Sequence, residues 1–420
     1  MDFAKKKLGI SGQSSRDLST NEKKIIGLLG LPTFGLALSV TVVVTYVPLL
    51  AEQFTTSTTI VGLIIATEGI VALFLPVLAG SYSDHLHTRF GGRLPFIMIG
   101  SPISAIALLL LGFANTIWFI IACVVAFFIS YYLAYEPYRA LYPDVVEDDA
   151  SGRAQSVQAI WRGAGTGTAL AIGSYLFAIK RWLPFTLSAI LTFAATAVFI
   201  WLLLKRHGVP KQHRREPSSL IEAYKTVFSL LKRHRSLRNF IFANTLWELT
   251  LAALKSFMLL YLTVGLGHSK FKAATIITVT AFVILLAAPL SGKLADSVGI
   301  TKVMRWASII FGLGLLVPLF TTNVWAGITI LPVVGFGGAI VLTLPYALLI
   351  PMMPRGEHGR LTGLYSTSRG IGIMAGPLLA GAAISLGKNV FIAHGYAAMW
   401  LVCGASMLLS VLFLGKIKEL

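Results

Sequence analysis

Long apolar runs separated by short polar breaks organise this chain. Runs of 18 or more residues with few charges cover 25–50, 58–80, 94–113, 117–142, 154–179 and 183–204. After a polar break, six more cover 239–264, 273–294, 303–321, 324–350, 361–386 and 391–414. A membrane-spanning helix needs about 20 apolar residues. The pattern therefore predicts an all-α membrane protein of twelve transmembrane helices, six on each side of the break. The longest runs leave room for kinks at Pro32, Pro48, Pro332 and Pro345. The break, 205–238, holds ten Lys or Arg against Glu216 and Glu222. Within it, Leu220, Ile221, Tyr224, Val227, Phe228, Leu230 and Leu231 recur at helical spacing behind Ser219, which with Glu222 forms a capping box. That pattern predicts an amphipathic helix lying on lipid headgroups.

Composition agrees with this pattern. Of 420 residues, 56% are hydrophobic and 12% charged, about half the charge of a soluble domain. The net charge is +18, with 35 Lys and Arg against 17 Asp and Glu. On so apolar a chain this argues against a nucleic-acid binder, whose charge would sit on a polar surface. The basic residues are instead sorted by side. Counting helix ends with their loops, the N-terminus, the even-to-odd loops and the C-terminus hold 26 of the 35. The opposite side holds Lys180, Arg181, Lys270, Lys272 and Lys388. By the positive-inside rule both termini are expected in the cytoplasm, in an inner or plasma membrane. The expected organisation is a tail (1–24), a first bundle (25–204), a basic linker (205–238), a second bundle (239–415) and a tail (416–420). The polar N-terminus predicts no cleaved signal peptide. Cys123 and Cys403 lie in apolar runs and predict neither disulfide nor metal pair.

The two halves echo each other. Pro137-Tyr138-Arg139-Ala140-Leu141-Tyr142-Pro143 matches Pro345-Tyr346-Ala347-Leu348-Leu349-Ile350-Pro351. Gly152-Arg153 with Arg162-Gly163 recurs as Gly359-Arg360 with Arg369-Gly370, 207 positions on. Gly80-Ser81-Tyr82-Ser83-Asp84 recurs as Gly292-Lys293-Leu294-Ala295-Asp296, 212 positions on. Three features in one order at nearly one offset mean two homologous six-helix halves, an arrangement typical of secondary transporters. The sequence resembles the major facilitator superfamily over essentially its whole length, through Gly292 to Gly299 and its N-terminal copy. Ser83-Asp84 followed by Arg89-Phe90-Gly91-Gly92-Arg93-Leu94-Pro95-Phe96 resembles a loop of the glycoside, pentoside and hexuronide cation symporters and of the sucrose/proton symporters. Arg139-Ala140-Leu141 with Asp144 is similar to the fourth-span motif of that group. The resemblance implies proton- or cation-coupled symport of a sugar or glycoside by rocking of two bundles around a midplane site. A proton-coupled exporter or antiporter of an amphipathic or anionic metabolite or drug is the alternative, and a non-transporting membrane receptor a further one. Ile129 stands where sucrose-type symporters carry an acid, so their proton site does not transfer.

Charges left inside the predicted spans are costly, at least about 2.5–3.5 kcal/mol each at the bilayer centre, so they should face a cavity or each other. They are Glu68, Glu136, Arg139, Arg162, Glu248, Lys255 and Arg369. At ~1.5 Å per residue, Glu68, Arg162, Glu248 and Arg369 lie roughly 12–15 Å deep, near the midplane. Glu68, Glu248 and Glu136 are the proton-coupling candidates. Arg162, Arg369, Lys255, Asn244, Trp161, Trp247, Tyr131, Tyr135 and Tyr365 are the substrate-binding candidates. Two guanidiniums facing one cavity would suit an anion; balanced by Glu68 and Glu248, they would leave a near-neutral cavity suited to a sugar. The resemblance also implies gating residues: Gly80, Asp84, Arg89, Arg93, Arg139, Asp144, Arg153, Gly292, Asp296 and Arg360. Gly163-Ala164-Gly165-Thr166-Gly167 follows no strand and reads as helix packing, not phosphate binding. His85 and His87 read as solvated loop residues. No enzyme site, metal or cofactor is expected, and the partners are a small molecule, protons or a monovalent cation, and lipid around a monomer.

Overall fold

The computed structural model describes residues 20–86, 88–145, 151–207, 229, 231, 232, 234–349, 352 and 358–417, at several helix ends by the backbone alone. The first six helices are α1 (Thr20–Ala51), α2 (Thr58–His85), α3 (Leu94–Gly112), α4 (Ile117–Val145), α5 (Ser151–Ile179) and α6 (Leu183–His207). Then come α7 (Arg235–Leu260), α8 (Lys270–Val298), α9 (Ile300–Leu316), α10 (Val324–Thr343), α11 (His358–Leu386) and α12 (Ala398–Leu414). A one-turn helix, Pro345–Leu349, follows α10. Among the described residues nine helices are long and apolar enough to cross a membrane. In hydrocarbon only a helix satisfies its own backbone polar groups within one segment, which is why these apolar runs are helical. Large apolar side chains on the outside, among them Ile106, Phe282, Leu285 and Leu313, are exposed and suit contact with lipid.

Several boundaries differ from the expected spans. α1 runs unbroken through Pro32 and Pro48, whereas the tenth span breaks at Leu344, before Pro345. The seventh ends in a π turn, Tyr261–Gly265. The twelfth starts at Ala398, seven residues late, because Ala393, His394 and Gly395 adopt left-handed φ values of 57°, 53° and 86°. The expected amphipathic helix falls almost wholly outside the described residues.

Packing has an internal two-fold pattern. In the first six helices α1 packs on α5 and α6, α2 on α4, and α3 on α4 and α6. Six positions on, α7 packs on α11 and α12, α8 on α10, and α9 on α10 and α12. Even the caps repeat: Ser57 Oγ accepts from the Ile60 N–H and Ser269 Oγ from the Lys272 N–H, 212 positions apart. A side-chain oxygen at this position satisfies one of the orphan N–H groups of the first turn.

The halves meet where α2 packs on α11 and α5 on α8, the two contacts exchanged by that symmetry. The α2–α11 contact is backbone to backbone. A methyl built on Gly69 would stand 2.3 Å from the Met374 nitrogen, so only glycine permits this approach. Gly69→Val should separate the pair and lower stability by about 1–3 kcal/mol. Gly163→Val, at a position with nothing within 4 Å of a built methyl, should leave the melting temperature in detergent unchanged. Equal melting temperatures for the two variants would contradict this close approach.

Candidate functional site

The interior charges converge between the halves. On α7, Asn244, Glu248 and Lys255 lie four and seven residues apart, about one and two turns, and so share one face. On α4, Tyr131, Tyr135 and Arg139 form a similar stripe. The Tyr131 and Tyr135 rings stack at 5.3 Å, and the Arg139 guanidinium lies 5.6 Å over the Tyr135 ring. On α11, Arg369 follows Tyr365 by one turn and lies 5.9 Å from its ring centre. Tyr346, just past the break in the tenth span, meets the Tyr365 ring edge-on at 5.4 Å.

Two ion pairs are formed within this group. Arg369 Nε donates to Glu248 Oε1 at 2.7 Å. Arg139 Nη1 lies 3.6 Å from Glu136 Oε1, one turn back on α4. Glu68 is buried on α2 beside Gly69. The charges acting on it all belong to the other half: Lys255, Arg369 and Glu248. Arg162 is solvent-exposed yet within electrostatic reach of Tyr131, Tyr135 and Tyr365, so it faces the space between the halves. The Arg139 and Arg369 side chains keep 38% and 39% of their surface accessible. Water therefore reaches this charged interior.

Other candidates are engaged within their own half. Trp247 is fully buried, and its indole N–H donates to Ser308 Oγ (3.2 Å) and Ser410 Oγ (2.9 Å), fastening α7 to α9 and α12. Trp161 packs on Gly30 of α1, with its ring edge-on to Phe34 at 6.2 Å. Asn244 Nδ2 donates to Ser368 Oγ of α11 at 2.8 Å. Arg89 lies 4.8 Å over the Phe90 ring, Arg93 is buried at the start of α3, and Gly292 is half-buried in α8. The side chains of Gly80, Asp84, Asp144, Arg153, Asp296 and Arg360 lie outside the described residues, as do those of His85 and His87.

One contact at the face opposite the chain termini, the distal face, has no signal in the sequence. Tyr396 donates its hydroxyl to Glu52 Oε1 at 2.6 Å, joining the end of α1 to the loop before α12. Burial raises the Glu52 carboxyl above its usual range, and the Tyr396 hydrogen bond pulls it back in part. The left-handed triplet 393–395 sets Tyr396 in place, a strained backbone of the kind found where function demands it. Two further bonds join the halves on this side: Thr58 Oγ1 to the Gly381 carbonyl (2.8 Å) and Tyr175 to Thr275 between hydroxyls (3.0 Å). Arg181 ties two distal loops of the first half, donating to Gln53 and Asn115. The distal face is thus latched, while Arg139 carries the accessible interior toward the terminal face.

Apolar helices in a doubled bundle around a wet, charged interior form the architecture of a membrane solute carrier. The sequence profile of the Major Facilitator Superfamily matches residues 29–267 and 240–419, and the chain belongs to that family. It is a multi-pass membrane protein of a transporter family. A 198-residue stretch is 27% identical to the multidrug resistance protein MdtG of Escherichia fergusonii, spanning 46% of each chain. The chain thus matches about half the length of that relative. Among solved structures it resembles a bacterial homologue of the human lysosomal transporter Spinster in an inward-facing, unoccupied conformation (TM-score 0.74, 14% identity, 95% of both chains). It also resembles the nucleoside transporter NupG (TM-score 0.69, 16% identity, 95% of this chain and 100% of that one).

Tyr396→Phe removes the donor of the distal latch. A neutral-to-charged hydrogen bond contributes about 1.5–3 kcal/mol. The variant should raise, by roughly tenfold or more, the rate at which a membrane-impermeant thiol reagent on the distal side labels an Arg162→Cys probe in the interior. An unchanged rate would mean that the latch does not hold this face closed.

Proposed function

We propose that this chain is a proton-coupled secondary active transporter that moves an amphipathic organic solute by alternating access, in the direction of export. The observation that carries the reading is the position of Glu68. It is a first-half carboxylate buried where α2 packs on α11, within electrostatic reach of Lys255 and Arg369 of the second half. Ionised, Glu68 attracts that half and favours the arrangement closed at the distal face. A proton taken up on its carboxylate cancels the attraction and releases the halves. Lys255 and Arg369 disfavour a metal cation at this position, whereas a proton neutralises Glu68 without adding a cation between them.

The Lys and Arg asymmetry supports termini in the cytoplasm of a cell-membrane protein, which makes the distal face external and this conformation inward-facing. The likeness of half the chain to a multidrug resistance protein supports export as the direction, and the carrier is read as a monomer in lipid. A second reading, symport of a sugar or glycoside, is favoured by the loop from Ser83 to Phe96 and its likeness to the glycoside and sucrose symporters.

Proteoliposomes containing a trapped pH dye test the coupling. Adding 1-naphthoate to one side should move protons in the wild type, and Glu68→Gln should reduce that flux by about 100-fold. Labelled sucrose driving the flux in place of naphthoate would establish the second reading. Full proton flux in both Glu68→Gln and Glu248→Gln would overturn the coupling site.

A further inference from the structure

The repeat carries a second, finer correspondence. A methyl built on Gly165 of α5 would lie 2.4 Å from the Phe34 carbonyl oxygen, 3.1 Å from Ala37 Cβ and 3.1 Å from the Leu38 nitrogen of α1. A methyl built on Gly372 of α11 would meet the Thr245 carbonyl oxygen at 2.6 Å, Glu248 Cβ at 2.7 Å and the Leu249 nitrogen at 2.9 Å. The two crossings share one register: carbonyl of residue i, Cβ of i+3, nitrogen of i+4. They pair Phe34 with Thr245, Ala37 with Glu248 and Leu38 with Leu249, each 211 positions apart. Gly165 and Gly372 each follow their half's arginine, Arg162 or Arg369, by three residues. Each half therefore presents an arginine on one helix across from a fixed position on its neighbour. In the second half that position is Glu248, and its carboxylate accepts from Arg369. In the first half it is Ala37, a methyl.

The consequence is an uneven charge balance. Glu136 is beside Arg139 and Glu248 beside Arg369, and Glu68 lies within electrostatic reach of Lys255 and Arg369 of the second half. Among the described residues no carboxylate lies within ion-pair distance of Arg162. It stands in the water-accessible interior, within electrostatic reach of the stacked Tyr131 and Tyr135 rings and of Tyr365. A guanidinium offers a planar fork of donors suited to two oxygens of one anionic group, and the tyrosine faces suit a flat apolar body.

We infer that Arg162 is the docking point for the anionic group of an organic solute, whose carboxylate takes by symmetry the role that Glu248 plays toward Arg369. The substrate class is an amphipathic organic anion with an aromatic or similarly flat body. This rests on the proposed transport function and deepens it. It also separates two tasks between the halves: the first binds solute through an arginine without its own acid, and the second keeps its arginine paired.

Equilibrium binding to purified protein at fixed pH, with no gradient, tests this apart from coupling. The probe is 1-naphthoate, with neutral 1-naphthalenemethanol as its comparison. The wild type should bind the anion at least tenfold more tightly than the alcohol. Arg162→Gln should erase that preference through a loss of roughly 10- to 100-fold in naphthoate affinity. Ala37→Glu, which supplies the acid the first half lacks, should do the same by occupying Arg162 from within the protein. Lys388→Gln, which removes a cation from a distal loop, should bind naphthoate as the wild type does. Naphthoate preference persisting in Arg162→Gln would overturn the inference even if Ala37→Glu failed to fold. Proton flux lost in Glu68→Gln alongside that result would leave the transport reading standing, and proton flux retained there with naphthoate binding lost in Arg162→Gln would do the reverse.

Discussion

A buried carboxylate in a membrane protein must be answered by charge or by a proton, because the low-dielectric interior penalises an isolated ion. Glu68 is the carboxylate around which this structure is arranged. The backbone contact at Gly69 holds α2 against α11, and the charges answering Glu68 stand on the opposite half. The interaction between the halves is therefore electrostatic at its centre and steric along its length. Hydrogen bonds from Thr58, Tyr175 and Tyr396 close the distal side around it. Any change in the charge of Glu68 is felt as a change in the attraction between two bodies, and that is the physical requirement for coupling a proton to a rocking motion.

The duplicated architecture gives two similar crossings of an arginine helix with its neighbour, and the two differ in charge. Arg369 is held by Glu248 and stays available to Glu68 as part of a fixed cluster. Arg162 stands one turn from the glycine that crosses at Ala37 and within electrostatic reach of the tyrosines of α4. A symmetric scaffold thus carries an asymmetric charge pattern, the basis of the proposed division between solute binding in one half and protonation at the contact of both. The strained turn at 393–395 adds a third asymmetry, since it delays α12 and delivers Tyr396 to Glu52.

Much of this was legible in the chain because hydrocarbon leaves few options. Apolar runs must be helices, and repeated residues at one offset must occupy equivalent places. Glu68, Glu248, Arg162 and Arg369 could be found as charges in spans, without alignment or structure. Side-chain direction was less legible. Trp247 and Trp161 neighbour Glu248 and Arg162 in sequence, but adjacent residues on a helix point about 100° apart, and both turn into their own bundle. The Glu52–Tyr396 bond joins residues 344 positions apart, and no local pattern encodes it. The counterpart of Glu248 was hidden because the offset between repeats drifts from 207 to 212, so Ala37 is found only through the glycine crossings.

The central claim is that the charge on Glu68 sets how tightly the halves close. Trp118 and Phe320 are exposed on the distal face, at 77% and 80%, in the first and second half respectively, while both native cysteines are buried. Spin labels on Trp118→Cys and Phe320→Cys give the distance between the halves on that face by pulsed electron resonance. Acidification should shift the wild type toward longer distances, and Glu68→Gln should show the long population at every pH. A pH response that is the same with and without Glu68 would contradict the account.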